Sequence, residues 1–586
     1  MSKKIASELL VERLIAWGVD TVFGLPGDGI NGIMEGLRRH RDRIRFVLAH
    51  HEEAAAFMAT GYAKSTGKLG VCLATSGPGG LHLLNGLYDA HMDHVPVLAI
   101  TGMQATTQLG TFYQQEVHLD RVFADVADYN AVITVPVSIP TMVDIAVRTA
   151  LSRRGVSHIT FPVDIQEADP DQQPYEGGMG VARPPETAPA YRRPRIVPEQ
   201  SDVERAAALL NEGRNVVILA GVGALDATEE LVAVGEALAA PIVKTLPGKA
   251  AIPDDHPLSL GGLGLLGTRP AEEAMEKAET LLMVGTNYPY TSYLPEQART
   301  VQVDVEPMRI GNRIPVEVPL VGDARETLAL LRPLLRRRDD RSFLERWQRD
   351  MDGWRHELAA LEDPERHPIQ PQYLMRVIDR RAADDAILST DSGTIATWAA
   401  RHFDIRGDRR FMLSGNLATM APGLPYTIAA QVAYPARQCI AFVGDGGFAM
   451  LMAEFLTAAR YELPIKVFVC NNGVLGQILW EQMALGFPEH GVRWEKHADF
   501  AAWATACGAL GLRVEKGQDV EPAVGEALAT AGPALVDVVV NPDEPPMPAK
   551  VRYDQAKGFV EAFLKGQPRR ISIASTVFRD KIEKMK

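Results

Sequence analysis

An aspartate and an asparagine, each at the end of an apolar run, are the chain's clearest chemical feature. Cys439 to Val443 reads as a buried strand leading into Gly444-Asp445-Gly446-Gly447, and Ile465 to Cys470 reads as a second strand ending in Asn471-Asn472. Strand ends lying side by side would present one carboxylate and one amide oxygen. Hard oxygen ligands of this kind suit Mg²⁺, which is usually completed by phosphate oxygens and water. Glycines at the strand-to-helix turn permit close backbone approach and leave N–H groups and a helix N-terminus for an anion. An ordinary βαβ crossover with a glycine turn is the plain alternative.

Other segments add candidate groups. Ile44 to Leu48 is strand-like, and His50-His51-Glu52-Glu53 opens a helical pattern through Lys64. Acidic residues there also complement the helix dipole, which requires no function. Met420, in Gly415-Asn416-Leu417-Ala418-Thr419-Met420-Ala421-Pro422-Gly423, is on its own ordinary core filler. Val22-Phe23-Gly24-Leu25-Pro26-Gly27 and Thr75-Ser76-Gly77-Pro78-Gly79 are each, alone, strand-end turns.

Together these segments resemble the thiamine diphosphate (ThDP) enzymes, whose GDG…NN signature anchors Mg²⁺ and the cofactor's diphosphate. The resemblance implies Asp445 and the Asn472 side chain as metal ligands, with the Val474 carbonyl as a third. It implies cofactor contacts at Pro26, Gly27, Glu52, Ala418, Thr419, Met420, Gly444, Gly446, Gly447, Leu475, Gly476, Gln477 and Ile478. Glu52, rather than Glu53, matches the family's catalytic glutamate. Placed next to N1′ of the aminopyrimidine, it favours the imino tautomer, so the cofactor's own nitrogen takes the C2 proton. The thiazolium then acts as the electron sink for decarboxylation of a 2-keto acid. Met420 matches the apolar wedge that bends the cofactor, a steric form of positioning.

Between these regions, Val216 to Ala220 is strand-like and runs into Gly221-Val222-Gly223-Ala224, which lacks the third glycine of a dinucleotide fingerprint. Similarity to pyruvate oxidases implies FAD here, contacted by Gly221, Gly223, Leu263, Gly264, Leu265 and Leu266. It adds Thr286, Asn287, Tyr288, Pro289 and Tyr290, with Asp304 at a strand end suited to ribose hydroxyls. Plain βα turns are the alternative. Acetohydroxyacid synthases bind FAD without using it, and typically carry tryptophan where this chain has Glu481. Pyruvate oxidases carry glutamate there, which implies a second catalytic carboxylate; a surface acid on a helix fits the residue equally. Gln477 stands where quinone-reducing, lipid-activated members have an aromatic.

The elements that must position these groups follow from alternating apolar strands and helical patterns. They predict an α/β chain of three doubly wound, mainly parallel-sheet domains. The expected division is a pyrimidine-binding domain at 1–175, a linker at 176–197 and a central FAD-binding domain at 198–335. A second linker at 336–367, a diphosphate-binding domain at 368–545 and a tail at 546–586 complete it. The tail carries Ile571, Ala574, Val577, Phe578, Ile582 and Met585 at helical spacing among basic residues. That pattern suits either a membrane-surface anchor or a helix packed on the body.

At 586 residues with 46% hydrophobic content the chain can bury several cores, and its net charge of −13 disfavours a nucleic-acid partner. Cys72, Cys439, Cys470 and Cys507 are scattered and read as reduced. Lys3-Lys4-Ile5-Ala6 leads directly into a helical pattern, so a cytoplasmic protein, peripheral on the inner face of the cell membrane if the tail binds lipid, is expected. The resemblance implies oxidative decarboxylation of pyruvate through hydroxyethyl-ThDP, with electrons passing to FAD and then to quinone or oxygen, in a homodimer or homotetramer. An acetolactate synthase-type carboligase with structural FAD is the alternative. A cofactor-binding protein without catalysis is a third reading.

Overall fold

A computed structural model describes residues 3–172, 187–494, 496, 498–547, 550 and 553–584. Part of the expected linker at 176–197, and Met585 of the tail stripe, lie outside the described residues. Among the described residues the strands form three six-stranded sheets, and every strand pairing is parallel. Most strands are buried on both faces, which is why they read as continuous apolar runs rather than alternating ones.

The first sheet contains β1 (Thr21–Leu25), β2 (Arg45–Leu48), β3 (Gly70–Ala74), β4 (Val97–Met103), β5 (Ala127–Val132) and β6 (Val156–Pro162) in the order β2-β1-β3-β4-β6-β5. The central sheet contains β7 (Val216–Ala220), β8 (Ile242–Lys244), β9 (Ser259–Gly262), β10 (Thr280–Val284), β11 (Arg299–Asp304) and β12 (Val318–Val321). Its order, β12-β11-β10-β7-β8-β9, is that of a dinucleotide-type fold with its switch point between β7 and β10. The third sheet contains β13 (Ile387–Thr390), β14 (Arg410–Met412), β15 (Cys439–Gly444), β16 (Lys466–Asn471), β17 (Leu510–Val514) and β18 (Ala534–Val539). Its order, β14-β13-β15-β16-β18-β17, repeats that of the first sheet strand for strand.

The first and third units share a core. The helix Glu52–Thr66, rich in alanine, lies against the helix Gly423–Ala433. A Cβ on Gly61 would come within 2.8 Å of the Tyr426 Cα, so only glycine lets the two backbones approach this closely. Their apolar faces merge in one cluster running from Phe23 through Phe57 and Tyr426 to Leu535. Beside it, Lys64 donates to Asp93 at 2.7 Å, to Tyr426 at 2.8 Å and to the Leu413 carbonyl at 2.8 Å, which satisfies a buried ammonium across the seam.

Within the expected linker 336–367, Ser342–Ala359 forms a helix. It buries Trp347, Met351 and Trp354 in a cluster with Met275, Leu281 and Met283 of the central unit. The tail forms two helices, Tyr553–Leu564 and Arg570–Glu583. Phe559 of the first stacks on Trp480 at 6.1 Å, and Ala562 with Ile573 closes a small core over Leu479 and Met483. The second helix packs by Ile573, Thr576 and Asp580, not by the apolar stripe, and leaves Ile571 81% and Phe578 65% exposed. Charge decides that orientation: buried Arg366 pairs with Asp580 at 2.5 Å and with Glu583 at 2.8 Å. No helix among the described residues is long and apolar enough to cross a membrane.

Candidate active site

Asp445 and Asn472 lie where β15 and β16 end, on neighbouring strands. Asp445 opens the helix Asp445–Leu451; its Oδ1 accepts from the Gly446 N–H at 2.9 Å and its Oδ2 from the Gly473 N–H at 2.8 Å. That second bond ties the two glycine-flanked turns together. Burial pushes the Asp445 carboxyl up to about 6 against the pull of those two N–H groups, and a bound cation reverses that balance. The Asn472 Oδ1 accepts from the Val474 N–H at 3.0 Å. Backbone bonds from Leu475 to Val492 and from Trp494 to Gly473 brace the same loop.

Met420 faces this pair from the loop after β14. A Cβ on Gly446 would lie 3.4 Å from the Met420 Cε, with Leu475 and Trp494 close by, so glycine at 446 keeps open the space under the methionine. The loop is bent sharply, with Ala418 at φ 55 and Ala421 at φ 80, left-handed values that cost an L-residue about 1 kcal/mol each. Asp391, at the end of β13, holds the bend by accepting from the Gly423 N–H at 2.8 Å. Its second oxygen is buried without a partner, and burial pushes the carboxyl up to about 7.

One cavity of about 1170 Å³ joins this region to the central sheet. Its wall includes Ala418, Met420, Gly444 to Gly447, Asn472 and Val474 to Ile478, with Glu481 at the edge. Gln477 Nε2 donates to Glu481 Oε1 at 2.9 Å, one helical turn along. The opposite wall is the carboxyl end of the central sheet: Gly223, Leu263, Leu265, Leu266, Thr286 to Tyr290 and Asp304. Gly221 and Gly264 stand behind that wall rather than on it. Gly221 packs against Gly285 and Thr286, while Gly264 leaves room for the Tyr288 hydroxyl.

Pro26, Gly27, Glu52 and Thr419 are not on this lining. Gly27 and Glu52 belong to a second cluster. Gly27 sits against Thr75, Gly29 donates to the Thr75 hydroxyl at 3.1 Å, and a Cβ on Gly79 would be 3.2 Å from Glu52 Oε1. Glu52 is 7% exposed and its Oε2 meets His82 Nδ1 at 2.8 Å. His51 stacks on His82, so His51, Glu52 and His82 bring three ligand-type atoms within 4.8 Å of one another. Asn85 joins Glu53 to Thr419, linking the helix Glu52–Thr66 to the Met420 loop.

Three family models match in chain order. They are the N-terminal TPP binding domain of thiamine pyrophosphate enzymes at residues 5–122, their central domain at 203–331 and their C-terminal TPP binding domain at 391–538. The chain belongs to the thiamine pyrophosphate enzymes. It is 42% identical over 565 residues to the protein YdaP of Bacillus subtilis, whose name refers to thiamine pyrophosphate, with 96% of each chain covered. It is 35% identical over 570 residues to a pyruvate oxidase of Lactiplantibacillus plantarum, covering 95% of this chain and 93% of that one. An acetolactate synthase large subunit of Corynebacterium glutamicum is 31% identical over 554 residues, covering 92% of this chain and 87% of its own.

In this thiamine pyrophosphate enzyme the residues present fit the groups the family implies. Asp445 and Asn472 offer oxygen donors beside the Gly446 and Gly447 turn, the donor chemistry of a Mg²⁺–diphosphate. On the far wall the Asn287 Oδ1 and Tyr288 hydroxyl are buried without partners, and Gly221, Gly223 and Gly285 close tightly at the switch point, as a nucleotide cradle requires. Sequence reasoning missed Asp391, His82, Glu454 and Arg401. Asp391-Ser392-Gly393 after an apolar run carried the same strand-end signal as Asp445. The other three act through contacts distant in sequence and left no local mark.

Proposed function

We propose that this thiamine pyrophosphate enzyme oxidatively decarboxylates pyruvate and passes the electrons to a bound FAD, then to quinone or oxygen. The observation that carries the reading is the single cavity with Asp445, Asn472 and Met420 on one wall and the central-sheet nucleotide cradle on the other. When bound, ThDP supplies a nucleophilic carbon and electron sink, and a flavin supplies the electron acceptor.

The chain's own residues divide the remaining work. Asp445, the Asn472 side chain and the Val474 carbonyl hold Mg²⁺, and the Gly446–Gly447 turn binds the diphosphate. Met420 would stand against the cofactor and position it from the cavity wall. Glu52 holds the proton at N1′ of the aminopyrimidine, and Glu481 stands at the mouth of the substrate space. Because Glu52, Pro26 and Gly27 lie off the cavity of their own chain, we assign them to the cavity of a second copy, in a homodimer or homotetramer.

The 31% identity to an acetolactate synthase supports a second reading, a carboligase with structural FAD. An anaerobic visible spectrum of the protein with ThDP and Mg²⁺, taken before and after pyruvate, separates the two. Bleaching of the flavin band is the expected result. Pyruvate consumption with an oxidised flavin would replace the oxidase with the carboligase.

A further inference from the structure

Glu454 is fully buried in the third unit, yet its carboxylate spends most of its bonding capacity on the first. It begins the helix Glu454–Arg460, which follows directly on the helix opened by Asp445. Its Oε1 accepts from the His50 N–H at 2.9 Å and from the His51 N–H at 3.0 Å. Its Oε2 accepts from the Thr457 hydroxyl at 2.7 Å, and Thr457 Oγ1 lies 2.9 Å from the His50 Nδ1. One turn on, the Tyr461 hydroxyl accepts from the Leu48 N–H at 2.9 Å. Leu48 ends β2, His51 caps the next helix and Glu52 is its first residue, so the short helix grips the whole strand-to-helix step from which Glu52 projects.

Among the described residues the His50 and His51 N–H groups have no partner other than Glu454. The His50 and His51 N–H groups precede the first turn of their helix, where no helical carbonyl can reach them, and a buried amide left unmet costs about 1–3 kcal/mol. A residue that only glued two units together would make side-chain contacts anywhere along the seam. Glu454 instead converges on the two backbone amides immediately before Glu52. Two short helices in succession, Asp445–Leu451 and Glu454–Arg460, thus begin with the proposed metal ligand and with the clamp on the acid's backbone.

We propose that Glu454 is a positioning residue for Glu52. It rests on the reading of Glu52 as the carboxyl that serves N1′. Losing the clamp frees the step before Glu52, and a displacement of about 1 Å at a catalytic group lowers rates by up to about 10²-fold.

The test is a double-mutant cycle on the full-length holoenzyme with saturating ThDP, Mg²⁺ and pyruvate. Glu454→Ala is expected to lower kcat by about 10–100-fold when Glu52 is present. In the Glu52→Gln background it is expected to change the residual turnover by less than about threefold, because the group it positions is gone. Glu454→Gln, whose amide oxygen still accepts both N–H groups, is expected to stay close to wild type. Equal fold losses in both backgrounds, or Glu454→Gln as impaired as Glu454→Ala, would overturn the positioning role. If Glu454→Ala does not fold, Thr457→Val, which keeps the carboxylate but removes its brace, runs through the same cycle. A loss confined to the Glu52 background supports the proposal, and an equal or absent loss overturns it. Normal turnover of Glu52→Gln alone would remove the Glu52 reading and this proposal together, whereas an impaired Glu52→Gln with additive losses removes only this one.

Discussion

Arg401 Nε donates to the Gly267 carbonyl at 2.9 Å, so a helix of the third unit carries the turn that walls the central cavity. Its Nη2 donates to the Leu265 carbonyl at 3.0 Å and its Nη1 to the Met547 carbonyl at 2.8 Å. Only carbonyl dipoles meet this guanidinium in these bonds, and burial pulls it down to about 10. Arg401→Ala removes two bonds from the 263–267 turn, those to the Gly267 and Leu265 carbonyls. Each hydrogen bond to a charged group contributes about 1.5–3 kcal/mol, so if the proposed FAD occupies this wall its retention should weaken by at least about tenfold. The ratio of flavin to protein absorbance after gel filtration measures it, and an unchanged ratio would free the turn from this role.

Glu52→Gln should lower turnover by roughly 10²–10⁴-fold, the range of a general acid–base group, while ThDP still binds. Steady-state kinetics beside a ThDP titration by tryptophan fluorescence would show the split. Near-normal turnover would sink the assignment.

Chelation of divalent metal followed by desalting should strip ThDP and activity together, and Mg²⁺ with ThDP should restore both. Asp445→Asn should not recover at the Mg²⁺ concentration that saturates the wild type, because an anionic ligand has gone. Full recovery by that variant would refute Asp445 as a ligand.

Asp391 gives a pH signature in the cofactor-free protein. Burial raises this carboxyl to about 7, so its stabilising protonated form is fully present below the unfolded value of about 3.9 and is lost as pH rises through 7. Asp391→Asn keeps the amide-accepting oxygen and does not titrate. Relative to the variant, wild-type stability should therefore fall by about 1.4 kcal/mol per pH unit between pH 5 and 7. Denaturant midpoints at pH 5, 6 and 7 would show it, and a constant difference would contradict it.

Truncation from Arg569 removes Asp580 and Glu583 from Arg366, and Arg569 and Ser572 from Asp543. Breaking a buried pair on one side costs about 3–5 kcal/mol, so the melting temperature should drop by several degrees. Anionic liposomes added to both forms test the exposed Ile571 and Phe578: binding lost on truncation would assign them a membrane contact as well.

Much of this architecture was legible because the signals are local. The strands ending at Gly444 and Asn471 announced themselves as apolar runs, and Gly446 and Gly447 marked a turn where a Cβ on Gly447 would collide with the Asp391 carboxylate. The repeated strand order of the first and third sheets was not legible, since sequence periodicity carries no record of which strands pair. Nor could spacing reveal that Arg401 reaches Gly267 or that Glu454 reaches His51, because such bonds depend on how separate units dock. The tail misled for a definite reason. Its apolar stripe suggested the packing face, but the buried Arg366 guanidinium required Asp580 and turned the helix the other way.

The shared core of the first and third units bears on how the protein is made. The helix Glu52–Thr66 leaves the ribosome early with its alanine and phenylalanine face bare, and its partner Gly423–Ala433 follows only after the whole central unit. At about 5–20 residues per second, that interval lasts tens of seconds during which a sticky surface waits uncovered. Nascent chains of this protein should therefore be clients of holdase chaperones through the middle of translation, and slowing elongation across the central unit should lower the yield of soluble enzyme.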